Sequence, residues 1–266
     1  MLKQIRILTI VGLLSLTACM KKSFTSEAVE GSPELVDCDE PLPSENFEDP
    51  DAAKAPEPDL PAPLANPVVD MLIAYTASAE KEAASIGGIE RKLREAVDET
   101  NAAFAESGAN VSVRVVGLLR LAQDDSGSLV NDLRRLAGKR DGLWDEVHAI
   151  RDEVKADQVT LVSAFKGKDW RAGRGILNGS FTVVKLSALK QFSLTHELGH
   201  NLGAIHDDGF VNKKGGFRTI MAYGSPKRIL RFGNPEIDYD GYITGTNRRN
   251  EVAKINRNAL RVSKFR

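Results

Sequence analysis

Three of the four histidines in this 266-residue chain sit within the stretch THELGHNLGAIHDDG, at positions 196, 200 and 206. The segment around the first two, QFSLTHELGHNLG, is expected to be helical, so His196 and His200, four residues apart, share one face about one turn apart. Were the helix to continue, His206 would lie about 9 Å further along the axis than His200. Gly203 removes that problem, because glycine enters the left-handed conformation, ends a helix and turns the chain back. His206 then joins the other two in a site of three imidazole nitrogens.

Three neutral nitrogens with a fourth position left open describe a catalytic zinc site, whereas a structural one is closed by four protein ligands. Glu197 points roughly 100° around the helix from His196, badly placed to bind the same ion and well placed to hold a water at the open position. A carboxylate beside such a position is what metal-assisted hydrolysis requires. One zinc ion is therefore expected. The remaining histidine, His148, lies beside the apolar stripe of a helical segment and reads as structural or exposed.

The chain divides into unlike parts. MLKQIRILTIVGLLSLTAC has Lys3 and Arg6 ahead of an apolar run, Ile7 to Ala18, too short to span a bilayer and laid out as a signal peptide. Leu16-Thr17-Ala18-Cys19 resembles the lipobox of bacterial lipoproteins, which makes Cys19 the expected lipidated first residue of the mature chain, with residues 1–18 removed. More than one acyl chain on that cysteine suffices for stable anchoring. Met20 follows it in place of an aspartate, so the outer membrane is the expected destination in a host that has one. Residues 19–66 read as a disordered tether. Nine of the eleven prolines lie from Pro33 to Pro67, and residues 21–66 carry twelve acids against three bases. Cys38, without an internal partner once Cys19 is acylated, reads as a spare linker thiol. The net charge of −1 gives no sign of a nucleic-acid binder.

Residues 67–266 form the expected folded domain. VVDMLIAY (68–75), VSVRVVGLL (111–119) and VTLVSAF (159–165) read as strands. Residues 78–106, 128–137 and 142–155 read as helices. AGRGIL and SFTVVKL, separated by Asn178-Gly179, read as a short antiparallel pair. Strands alternating with helices imply an α/β domain, a mixed sheet packed by helices. Near the C-terminus, Val252, Ile255, Ala259 and Val262 mark the inward stripe of a last helix. Asp238 to Gly241 reads as a turn rather than a calcium loop, and no calcium is expected.

HELGHNLGAIH matches the HExxHxxGxxH signature at each defined position, and on it the chain resembles the metzincin clan of zinc endopeptidases. Thr219-Ile220-Met221-Ala222-Tyr223-Gly224 resembles the clan's Met-turn. More loosely, the IAYT start, the EAVDETNAAF segment, RFGNP and the basic last helix are similar to bacterial peptidyl-Asp metalloendopeptidases. The resemblance implies a zincin-like α/β fold: a twisted five-stranded mixed sheet, an active-site helix and a small C-terminal subdomain after the glycine turn. It implies His196, His200 and His206 as zinc ligands and Glu197 as general base. It also implies Met221 beneath the metal and Asp207 supporting a ligand, with Tyr223 serving the metal or the oxyanion. Gly173, Arg174 and Gly175 would belong to the edge strand that receives an extended substrate. Lys227, Arg228 and Arg231 come after the Met-turn, where the clan builds the pocket for the residue after the scissile bond. Arg228 there would favour an acidic side chain. The implied partner is a polypeptide, met by a monomer held at the bacterial envelope. The alternative is a zinc-binding lipoprotein without activity, used for adhesion or scaffolding.

Overall fold

The computed structural model describes residues 66–266. The signal segment, Cys19, Cys38 and nearly all of the tether lie outside them. The described chain runs β1 (Val68–Thr76), α1 (Ala77–Ala83), α2 (Ile89–Glu106), β2 (Ser112–Leu121), α3 (Leu129–Ala137), α4 (Glu146–Val154), β3 (Gln158–Ser163), β4 (Gly173–Gly175), β5 (Phe181–Lys185) and α5 (Ser193–Asn201). Short pieces come next: β6 (Val211–Asn212), β7 (Phe217–Arg218), β8 (Lys227–Arg228), β9 (Asp238–Tyr239) and β10 (Tyr242–Ile243), then α6 (Glu251–Val262). Among the described residues no helix is long and apolar enough to cross a membrane.

The main sheet has the strand order β2-β1-β3-β5-β4. Its first four strands are parallel, and β4 runs antiparallel to β5, which leaves β4 as an outer edge. The apolar runs of β1 and β3 follow from burial on both faces. Met71 and Ile73 pack with residues of α2 and α5, while Leu72 and Ala74 pack with those of α3 and α4. The mixed five-stranded α/β architecture is the one expected.

Local differences have local causes. The helix expected over 78–106 is broken into α1 and α2 because Gly87 and Gly88 take φ of 104° and 89°. The helix expected from 142 begins only at Glu146. Trp144 is left-handed at φ 62°, and the Asp145 carboxylate accepts the N–H groups of Arg140 (2.8 Å) and Gly142 (3.0 Å), organising a loop instead. The β4–β5 hairpin is shorter than expected. Its turn closes from Gly179 N–H to the Ile176 carbonyl (3.0 Å), with Asn178 left-handed at φ 57°. His148 is buried, its Nε2 lies 2.6 Å from the Gly138 carbonyl, and burial lowers its pKa, as befits a structural histidine. Asp240 (φ 52°) and Gly241 (φ 78°) form the turn between β9 and β10, and the four inward residues expected of α6 are buried.

The C-terminal subdomain is fastened to α2. Phe104 stacks on Phe232 at 5.3 Å, the Ser107 hydroxyl accepts Phe232 N–H (2.8 Å), and Asn234 donates to the Ser107 carbonyl (2.8 Å). These contacts hold the chain after α5 against α2, with Phe232 also lying against α5 at Gly199.

Candidate metal centre

Every residue of α5 is buried, yet six of its nine residues, SLTHELGHN, are polar. Buried polar groups are costly unless each finds a partner, and α5 is placed by those partners. Thr195 and Thr100 of α2 meet hydroxyl to hydroxyl at 2.9 Å. Asn201 donates to the carbonyls of Ile176 (2.8 Å) and Phe181 (3.3 Å) and accepts from the Thr182 hydroxyl (2.6 Å). The Asn178 N–H donates to the His200 carbonyl (3.0 Å). The helix is thereby pinned to the β4–β5 hairpin, leaving His196, Glu197 and His200 to face the remaining space.

The helix ends as its glycine requires. Gly203 has φ 89°, its N–H donates to the His200 carbonyl (2.9 Å), and Ala204 N–H donates to the Gly199 carbonyl (2.9 Å). This pair of bonds is a Schellman cap. A side chain at 203 would also collide with Asn258 and Asn178, its Cβ falling 2.4 and 2.7 Å from their amide atoms. Beyond the turn, His206 comes back so that its Nε2 lies 3.1 Å from that of His196 and 3.0 Å from that of His200.

The protons on these rings follow from their other contacts. His196 Nδ1 is 2.9 Å from the Ile220 carbonyl and His200 Nδ1 is 2.8 Å from the Ala204 carbonyl. A carbonyl only accepts, so each Nδ1 carries the hydrogen and each Nε2 presents a lone pair. Burial keeps all three rings neutral. It pushes His200 down to about 4 and His206 down to about 2, and holds His196 well below the ordinary range. His206 Nε2 converges on these two lone pairs while its own Nδ1 is buried without a partner among the described residues, and a cation among the three nitrogens would relieve their repulsion. Bonds of about 2.0–2.1 Å to a tetrahedral zinc put ligand nitrogens about 3.3–3.4 Å apart, close to the separations seen. The donor set fits zinc.

Glu197 is buried against β4. A Cβ at Gly173 would come within 3.0 Å of its Cγ and Oε1, and a Cβ at Gly175 within 3.3 Å of its Oε2. The two glycines flanking Arg174 therefore make the recess in which this carboxylate lies, a role beyond the substrate pairing expected of them. Burial pushes Glu197 up to about 8, while the charges of Arg174 and Arg228 and the Gly175 N–H pull it back. Arg228 is itself largely withdrawn from water, and burial lowers it to about 10, so it stays cationic at neutral pH. Its Nη1 donates to the Gln191 carbonyl (3.3 Å), and its buried Nε has no partner among the described residues.

The sequence family described as "Metallo-peptidase family M12B Reprolysin-like" matches residues 65–248. The chain belongs to that family. Two curated relatives, both named "Peptidyl-Asp metalloendopeptidase", come from Stenotrophomonas maltophilia strains K279a and R551-3. They are 28% identical over 181 residues and 26% identical over 182 residues. Each match covers 60% of this chain and 43% of the relative, so the chain spans less than half the length of either. A solved structure described as "Structure of a chaperone-substrate complex" superposes with a TM-score of 0.61 at 22% identity, over 74% of this chain and 35% of that one. That likeness concerns the fold.

Within this reprolysin-like domain the remaining residues expected at the site divide. Met221 is fully buried under α5, where only a glycine leaves it room: a Cβ at Gly199 would lie 2.7 Å from its sulfur and 3.0 Å from Phe232. Tyr223 is partly exposed and its hydroxyl is 2.8 Å from His206 Nε2. Asp207 is a correction. The short helical turn 206–208 aims its side chain outward, 87% exposed and 3.8 Å from Arg249, away from the ligands. Its neighbour Asp208 turns in instead and accepts Ile205 N–H (3.0 Å). Of the cations after the Met-turn, Lys227 is exposed and Arg231 pairs with Glu106 and covers the Tyr239 ring, so Arg228 alone lies near Glu197. Gly199, which leaves room for Met221, and Asn201, which pins α5 to the hairpin, also serve the site, and neither carries a local signal in the sequence.

The purified reprolysin-like protein is expected to carry about one zinc per chain, and His200→Ala almost none. Elemental analysis decides this; zinc retained in full by His200→Ala would contradict the site.

Proposed function

We propose that this domain is a zinc endopeptidase that uses Glu197 as its general base. The observation that carries the reading is a buried carboxylate with a raised pKa, seated one residue from His196 and beside the outer strand of the sheet. Zinc held by His196, His200 and His206 would act as a Lewis acid on a peptide carbonyl and lower the pKa of water. An extended peptide adds to the outer edge of β4, giving main-chain hydrogen bonds that place the scissile bond over the histidines. Glu197 takes a proton from the attacking water and passes it to the departing amine. Gly173 and Gly175 keep its carboxylate in place while that proton moves. The Tyr223 hydroxyl, beside His206, stabilises the oxygen on which charge develops.

Arg228 sets the preference for the residue immediately after the cut. A cation withdrawn from water, with an unpartnered Nε, favours a carboxylate by charge-assisted hydrogen bonds worth about 1.5–3 kcal/mol. The name of the two Stenotrophomonas relatives supports an aspartate-directed specificity. The LTAC segment further supports processing at Cys19 and a lipid-anchored place in the bacterial envelope, and Met20 after it favours the outer membrane where the host has one.

Glu197→Gln should keep its zinc and lose casein hydrolysis by about 10²–10⁴-fold, since the base goes and the ligands stay. An active Glu197→Gln protein would remove the mechanism. In a peptide library, Asp or Glu should be enriched immediately after the cut by roughly ten- to hundredfold in kcat/KM, and Arg228→Ala should flatten that enrichment. Enrichment of bulky apolar residues there would show that Arg228 does not line the pocket. In whole cells, a palmitate label should attach to the wild-type chain and not to Cys19→Ser; a wild-type chain that takes no label would overturn the anchor.

A further inference from the structure

Glu251 is the first residue of α6, 45 positions beyond His206 in a helix whose other buried residues are apolar, and it is fully buried. A carboxylate in that position is costly to desolvate, and among the described residues no lysine or arginine forms an ion pair with it. Three donors offset part of that cost, and burial still pushes its carboxyl up to about 8. Its Oε1 accepts the Thr219 hydroxyl (2.5 Å) and Met221 N–H (3.3 Å), and its Oε2 accepts Gly233 N–H (2.8 Å). The Thr219 hydroxyl in turn accepts Phe210 N–H (2.9 Å), and its shorter donor contact is to Glu251 rather than to the Phe210 carbonyl (3.4 Å).

The two Met-turn residues that Glu251 grips flank Ile220, whose carbonyl accepts His196 Nδ1–H at 2.9 Å. Ile220 N–H is held separately by the Arg231 carbonyl (2.8 Å). The peptide whose carbonyl orients a metal ligand is thus clamped on both sides by one carboxylate. The same grip sets Met221, whose sulfur lies against α5 at Gly199. We propose that Glu251 is a positioning residue of the metal centre, fixing the Ile220 carbonyl through Thr219 and Met221 and, through that carbonyl, the tautomer and orientation of the His196 ring. The inference rests on His196, His200 and His206 being the zinc ligands. It gives Glu251 the supporting role that the sequence had suggested for Asp207.

Partners that orient a ligating histidine typically change metal affinity by about 10–100-fold, and Glu251 acts one residue further out, so the lower end applies. Glu251→Gln keeps the shape but sets an amide N–H₂ against one of the three donors. In the full-length protein, zinc affinity measured by chelator competition should weaken about tenfold in Glu251→Gln. The visible bands of the cobalt-substituted form should shift. Rescue is expected with Glu251→Asp only where the shorter carboxylate still reaches Thr219, so that variant should fall between the two. His200→Ala, run beside them, separates the two readings. Should it bind zinc like the wild type, the ligand assignment fails. Should it lose zinc while Glu251→Gln keeps wild-type affinity and unshifted cobalt bands, the ligands stand and Glu251 is merely structural. If Glu251→Gln does not fold, Thr219→Val removes one bridge and keeps the carboxylate; a smaller weakening in the same direction is expected, and unchanged affinity and spectrum overturn the proposal.

Discussion

Three imidazole Nε2 atoms gathered at one point, two of them with lone pairs fixed by their Nδ1 contacts, form an arrangement that a cation among them stabilises. The rest of the domain can be understood as the means of enforcing it. The carbonyls of Ile220 and Ala204 take the Nδ1 protons of His196 and His200, so neither ring can escape by exposing its other nitrogen. The Schellman turn at Gly203 returns His206 to the helix it has just left. Burial keeps the rings neutral, and neutral rings are the ones that bind metal.

The sheet contributes by giving α5 a fixed place. A helix this polar gains little from burial for its own sake, and its hydrogen bonds to Thr100, Thr182, Ile176 and Phe181 tie it to α2 and to the β4–β5 hairpin. Because that hairpin also forms the open edge of the sheet, the outer strand β4 is anchored to the helix bearing Glu197. Gly173 and Gly175 bring the two within contact distance. In the proposed mechanism, substrate alignment and proton transfer would both depend on this one piece of local structure.

What was legible in the sequence was what is local. The ligand spacing, the glycine stop and the Met-turn each lie within a few residues, and helical geometry alone predicts how they face. The strands of the parallel sheet were legible from their apolar runs. Glu251 was not, because it reaches the site from α6 through partners 18 to 32 positions away and looks from its neighbours like an ordinary first-turn acid. Asp207 misled for a related reason. Two consecutive aspartates come after the last ligand, and only the conformation of the 206–208 turn decides that Asp208 points in and Asp207 out. The break at Gly87-Gly88 was visible as residues but not as an outcome, since glycine permits a break without requiring one.

The central claim is that His196, His200 and His206 bind a single zinc ion and leave one position to a light ligand. X-ray absorption at the zinc edge of the purified protein measures this without reference to activity. The account predicts a first shell of about three imidazole nitrogens and one oxygen at roughly 2.0–2.1 Å, with the outer-shell scattering of three rings. A first shell containing sulfur, or only two imidazoles, would contradict it.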